Sequence, residues 1–199
     1  MANYTSDRAF TDMVHTNIAL PKIYALLNWQ PYILNAAKAT EIDLFKGIDY
    51  VFTNDGFKTV QERFREKKYQ LYTDFTIRYR RDQNPLAERH QSEYYKIKAD
   101  YFVYGITNCL KDDITPCTDF IKYAVIDLKK VYQKLDDGAI LIQNNGKHFC
   151  EIIDDKIICP VKYNKDGSSS FFPIDIRFLV TLWGNEILVA QKGFLSQIK

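Results

Sequence analysis

Two strand-like runs, residues 48–52 and 58–65, flank the turn signal Asn54-Asp55-Gly56 and carry the side chains best suited to chemistry. Asp49 lies on the first run; Gln61, Arg63 and Arg65 lie on the second. Alternate residues of a strand share a face, so Gln61, Arg63 and Arg65 project one way while Val60, Glu62 and Phe64 project the other. Val60 and Phe64 mark the second face as the core side. One side of a hairpin therefore gathers an acid, an amide and two guanidiniums. An acid and an amide carbonyl are hard oxygen donors for a divalent cation, and a guanidinium can stabilise charge on a phosphoryl group. A charged surface hairpin without chemistry is the competing reading.

The next residues extend the basic character. Arg63, Arg65, Lys67, Lys68, Arg78, Arg80 and Arg81 stand against Glu62, Glu66 and Asp74, in a chain whose net charge is only +2. Tyr69, Tyr72, Phe75 and Tyr79 interleave with them. Such a local patch neutralises phosphates and makes binding salt-dependent; a solvated strand pair is the bland alternative. Asp43, which leads into Gly47, and Glu41 and Asp12 precede the first run, and each reads as a solvated surface acid. Glu62 could reach the site only through a bulge, which simple alternation opposes.

An acid on one strand, a turn, and an acid-x-Lys triplet on the next strand form the signature of the PD-(D/E)XK nuclease superfamily, which includes restriction endonucleases and resolvases. A branch related to the Mrr-type enzymes writes the triplet Q-x-K. The chain resembles that branch over roughly residues 8–135, with Asp49 as the strand acid and Gln61-Glu62-Arg63 as the triplet. The run Ala99-Asp100-Tyr101-Phe102-Val103-Tyr104 and the step Val125-Ile126-Asp127-Leu128 look like later core elements of the fold. Ile48 stands in place of the Pro, Gln61 in place of the second acid and Arg63 in place of the Lys. The resemblance implies a restriction-endonuclease-like core and a metal-dependent endonuclease hydrolysing DNA phosphodiester bonds in restriction, phage or mobile-element DNA processing. It implies Mg²⁺, or Mn²⁺, on Asp49, the Gln61 carbonyl and a further acid, for which Asp43 ranks first, ahead of Glu41 and Asp12. Arg63 would stabilise the pentavalent charge; it stays protonated and cannot serve as a base. Arg65, Lys67, Lys68, Arg78, Arg80 and Arg81 would hold the DNA, and a homodimer is compatible with this. The alternative is a catalytically degenerate nuclease-fold protein that binds DNA or a protein partner without cleavage.

The elements that must position these residues read as α/β. Apolar residues at helical spacing predict one long or two short helices over 8–30, with Ser6 as N-cap and a kink at Pro21. A second helical piece is expected over 31–39, opened by Pro31. Strands are expected over 75–80, over 99–106 (buried on both faces) and over 123–126, where Asp127 caps a helix ending near Leu135. A polar loop over 82–92, strands within 140–163, a flexible tip at 167–170 and a closing helix over 174–183 complete the pattern. We expect a single domain: a central mixed sheet, the amino-terminal helix on one side, the 127–135 helix on the other, and a β-rich extension over 136–199.

Composition sets the remaining bounds. The 199 residues are 46% hydrophobic and 26% charged, ordinary for a globular protein. Aromatics reach 15%, better explained by core packing than by base stacking. The first twenty residues lack an apolar signal region, and the uncharged stretch 23–37 is broken by Asn28, Gln30 and Pro31, so a soluble, cytoplasmic protein is expected. Cys109, Cys117, Cys150 and Cys159 match no zinc framework and are expected reduced, with Cys150 and Cys159 able to face each other across a hairpin. His15, His90 and His148 are too scattered for a metal triad, and His15 reads as structural. No nucleotide-loop or hydrolase-elbow pattern occurs.

Overall fold

The computed structural model describes residues 4–81 and 92–194, the first three of them through their backbone alone. The loop expected over 82–92 therefore lies outside the described residues, apart from Ser92.

Helix α1 spans Tyr4–Val14, so Ser6 falls within its first turn rather than at its cap. The helix starts earlier than the apolar spacing suggested. It continues without a break into a π-helical stretch, His15–Tyr24, that contains Pro21. Proline has no N–H and its ring clashes with the carbonyl four residues back, so the kink expected at Pro21 is absorbed by a wider winding. The residues after it form strand β1 (Gln30–Pro31), and helix α2 spans Ala36–Lys46. This corrects the helix expected over 31–39. Pro31 is an edge-strand residue, and the helix starts where Asn35 Oδ1 accepts the Lys38 N–H at 2.9 Å. Gly47 ends α2 in the left-handed region, φ 56°.

Strands β2 (Tyr50–Thr53) and β3 (Phe57–Arg65) form the expected hairpin. Strand β4 (Asp74–Arg80), helix α3 (Glu93–Lys96), strands β5 (Tyr101–Thr107) and β6 (Phe120–Asp127), and helix α4 (Leu128–Asp136) follow. Asp127 Oδ1 accepts the Lys130 N–H at 3.1 Å, the predicted cap. Strands β7 (Ile140–Gln143), β8 (Glu151–Ile153), β9 (Lys156–Pro160), β10 (Lys162–Tyr163) and β11 (Ser170–Asp175) precede helix α5 (Ile176–Trp183) and strand β12 (Leu188–Lys192). The closing helix thus starts two residues later than expected, after Asp175 caps it. Ser169 and Ser170, expected in a flexible tip, are buried. Ser170 pairs with Arg80 and Tyr163, and the Ser169 hydroxyl bonds the Asn164 amide.

The central sheet is mixed, in the order β1-β2-β3-β5-β6-β12; β3 and β5 run parallel and the other pairs antiparallel. One face buries Val60, Phe64, Val103 and Val125 under Phe10, Val14, Ile18 and Ile23 of the amino-terminal helix. The other buries Phe102, Tyr104, Ile106 and Ile126 against Leu128 and Val131 of α4, Phe75 and Ile77 of β4, and Phe172 and Ile174 of β11. The two helices stand on opposite faces, as expected. The stretch beyond residue 136 is not peripheral: β12 is an edge strand of the central sheet, β11 pairs with β4, and Ile157, Leu179 and Phe194 join the same core. Among the described residues no helix is long and apolar enough to cross a membrane.

The thiols differ from expectation. Cys109 and Cys117 form a disulfide in the β5–β6 connection, where their Cα atoms come within 4.9 Å. Cys150 and Cys159 are free and adjacent, so the expected approach across the hairpin holds.

Candidate functional site

Asp49 stands just before β2. Its N–H donates to Val60 O at 2.8 Å, and the β2–β3 register continued by one pair places it opposite Gln61. Directly opposed residues share a face. Asp49, Gln61, Arg63, Arg65, Arg78 and Asp43 all line one cleft of about 650 Å³. Six of the predicted site residues are thereby brought together. Lys67 and Lys68 sit in an exposed turn away from it, with Lys68 paired to Glu66, and Arg80 lies over the Tyr79 ring. Arg81 follows β4 outside the cleft lining.

The face that carries Gln61, Arg63 and Arg65 is organised by a carboxylate that the strand pattern did not single out. Glu93, in the short helix α3, is buried. Its Oε1 accepts Arg63 Nη2 at 2.6 Å and Gln61 Nε2 at 3.2 Å, and its Oε2 accepts the Arg78 backbone N–H at 2.8 Å. Arg63 also donates through Nη1 to the Thr76 carbonyl and, at 3.0 Å, to Thr76 Oγ1. Arg63 is thus held by an acid of α3 and by β4. The only cue in the sequence was Ser92-Glu93, a cap residue before an acid, following a polar stretch with no periodicity.

Gln61 is oriented by the same acid. Its amide nitrogen must face Glu93, which only accepts, so its carbonyl points away. That oxygen is buried beside Gly47 without a hydrogen-bond partner among the described residues.

On the opposite face Glu62 is buried, as alternation predicts. It accepts hydrogen bonds from Tyr24 Oη and, at 2.9 Å, from His15 Nδ1, the ring nitrogen that must carry hydrogen toward a carboxylate. The His15 ring stacks on Tyr50 at 3.5 Å between centroids. Burial and the Glu62 charge raise the Tyr24 phenol well above its ordinary value, so it remains a donor. His15 is thus packed in the core beneath the strand that carries Glu62.

Asp49 Oδ2 accepts the Glu62 N–H at 2.7 Å, where the β2 ladder has ended. Burial pushes its carboxyl up to about 7; the Glu62 N–H bond and Arg8 act in the opposite direction, while the charges of Glu62 and Asp43 add to the rise. Arg8 lies 3.5 Å from Asp43 and 3.1 Å from Asp12, and Lys38 takes Glu41 at 3.0 Å. Asp12 and Glu41 are therefore surface partners, as the bland reading had them.

Mg²⁺ takes hard oxygens in near-octahedral geometry, usually one or two carboxylates with waters and phosphate. Asp49 has one oxygen committed to a backbone N–H, the Gln61 carbonyl is packed away from solvent, and Asp43 is shared with Arg8. Among the described residues no three His, Cys, Asp or Glu side chains cluster as a metal site.

The cations at the other end of the cleft are less committed. Arg65 and Arg78 form no ion pair among the described residues; Arg65 lies over the Tyr69 ring at 5.2 Å. Lys96 donates to the Leu44 carbonyl, at 3.0 Å. The cleft is therefore bipolar, with acids around Asp49 and available cations around Arg65 and Arg78. No family model, no curated protein and no solved structure matches this chain.

Proposed function

We propose that this protein binds the phosphodiester backbone of nucleic acid, with DNA the first candidate, on a restriction-endonuclease-like core. The observation that carries the reading is the pair Arg65 and Arg78, which line the cleft beside Gln61 and Arg63 and form no ion pair among the described residues. Guanidiniums that converge on one concavity without a direct ion pair suit phosphate, which they engage through planar, two-pronged hydrogen bonding; Asp74 lies near Arg65 and Glu93 near Arg78, but neither acid forms an ion pair with them. Arg63 serves as a positioning residue, fixing the strand that presents Arg65, and Glu93 fixes Arg63. The test is direct titration of labelled duplex DNA. Wild type binds; Arg65→Ala with Arg78→Ala loses most of the affinity. Equal affinity of the two proteins would end this reading.

A second reading, metal-dependent hydrolysis, draws support from one feature. Asp43 and Asp49 stand at one end of the cleft with the charge of Glu62 buried beneath them, and a divalent cation arriving with the substrate would relieve the repulsion. Incubating plasmid with the protein and Mg²⁺ or Mn²⁺ separates the two. Cleavage abolished by Asp49→Ala supports the enzyme, and binding without cleavage under either metal excludes it.

A further inference from the structure

A second cavity, of about 720 Å³, opens between the turn after β3 and the β8–β11 region. Three of its lining side chains are large, apolar and left in solvent: Leu71 at 84%, Phe149 at 81% and Tyr72 at 50% exposure. Leaving such groups wet forgoes roughly 25 cal/mol per Å² of apolar area, and here the exposed groups rim one concavity. The polar part of the wall is equally specific. Asp175 is satisfied by Arg177 at 2.7 Å and Thr73 Oγ1 at 2.9 Å. Arg65 and Lys162 form no ion pair among the described residues, although both lie within reach of the charge of Asp74, which lines the same wall. Lys162 Nζ lies 5.5 Å over the Phe149 ring, a cation beside an exposed aromatic face. Flat π surfaces with available cations next to them match a ligand that is part planar heterocycle and part anion. Arg65 and Tyr69 line both this cavity and the cleft of Asp49 and Arg63, so the two are neighbours.

We propose that this cavity is a site for one unpaired nucleotide, its base against the rings of Tyr72 and Phe149 and its phosphate toward Arg65 and Lys162. The source of that nucleotide, a strand running through the neighbouring cleft, rests on the nucleic-acid reading given above. Through this site the carboxy-terminal segment converts a backbone-binding cleft into one that prefers a strand with an unstacked base.

The test uses the full chain and two probes. The first is deoxyadenosine 5′-monophosphate, followed by NMR, with deoxyadenosine and inorganic phosphate as controls. The second is a single-stranded oligonucleotide carrying 2-aminopurine, followed by fluorescence, beside a duplex of the same sequence. Phe149→Ala and Tyr72→Ala alter exposed side chains, so the fold tolerates both. The expected result is saturable mononucleotide binding and quenched 2-aminopurine, each weakened roughly tenfold by Phe149→Ala, with duplex affinity unchanged. Arg78→Ala should do the reverse, weakening duplex and sparing the mononucleotide. Absence of mononucleotide binding at millimolar concentration, or equal binding by wild type and Phe149→Ala, overturns the site. Mononucleotide bound in a Phe149-dependent way by a protein that binds neither oligonucleotide would overturn the strand as its source and the backbone reading with it.

Discussion

Replacing Glu93 by Gln removes one charge and changes almost no volume, yet the structure makes it consequential twice. Glu93 is buried and its two oxygens serve three donors: Arg63, Gln61 and the Arg78 N–H. A glutamine can place its oxygen toward Arg63 and Gln61, but its NH₂ then faces the Arg78 N–H, donor against donor. An unsatisfied buried donor costs about 1–3 kcal/mol. Losing the carboxylate also strips a guanidinium of its counter-charge. A broken buried pair costs about 3–5 kcal/mol, discounted here because the Arg63 side chain is 29% exposed. Together these suggest destabilisation of about 3 kcal/mol, read as a shift in urea midpoint at constant slope. The second effect has the opposite sign for binding. Arg63 no longer neutralised adds a cation to the phosphate-facing wall, so the dependence of log K on log salt should steepen by about 0.9 for duplex DNA. Equilibrium unfolding and fluorescence anisotropy at several salt concentrations measure both. A variant as stable as wild type, or one whose salt slope is unchanged while DNA still binds, would refute the role given to Glu93.

Asp49 makes folding pH-dependent in an unusual direction. Its carboxyl titrates near 7 in the folded chain against an ordinary 3.8, so the folded state holds the proton more tightly. That contribution is full below about pH 4 and is lost as pH rises through 7. Asp49→Asn keeps the acceptor for the Glu62 N–H and should remove this slope, gaining on the order of 3 kcal/mol over wild type at pH 8 relative to pH 4 in thermal or urea unfolding. Gly47→Ala should cost about 1–2 kcal/mol for its left-handed backbone. It should also displace Gln61, since the new methyl would lie 3.1 Å from Gln61 Oε1; denaturant midpoints and the Gln61 amide NMR resonance report the two effects. Opening the Cys109–Cys117 bridge by Ser substitution should lower stability by about 2.5 kcal/mol, the closure entropy of so short a loop, measurable in urea.

Local rules made the hairpin legible. The period of two placed Val60, Glu62 and Phe64 on the buried side and Gln61, Arg63 and Arg65 on the other, and the turn signal fixed which strand followed which. Uniform apolarity marked β5 as buried on both faces, and Asp127 announced α4. Long-range partnerships were not legible. Nothing near Arg63 in the chain points to Glu93, thirty residues on, and a polar strand gives no sign that its exposed face will be covered by β4. Pro31 opens helices and also sits on strand edges, so the ambiguity was resolved by Val51 and Phe52 pairing beside it. The disulfide and the packing of the carboxy-terminal segment likewise depend on which distant elements meet.

The most direct measurement is the salt dependence of duplex DNA binding by wild type and by the Arg65→Ala, Arg78→Ala double variant. If both guanidiniums meet phosphates, the double variant should bind more weakly and its slope should be shallower by about 1.8, two lost contacts at about 0.9 each. Matching slopes, or no DNA binding by wild type at low salt, would contradict a phosphate-binding cleft.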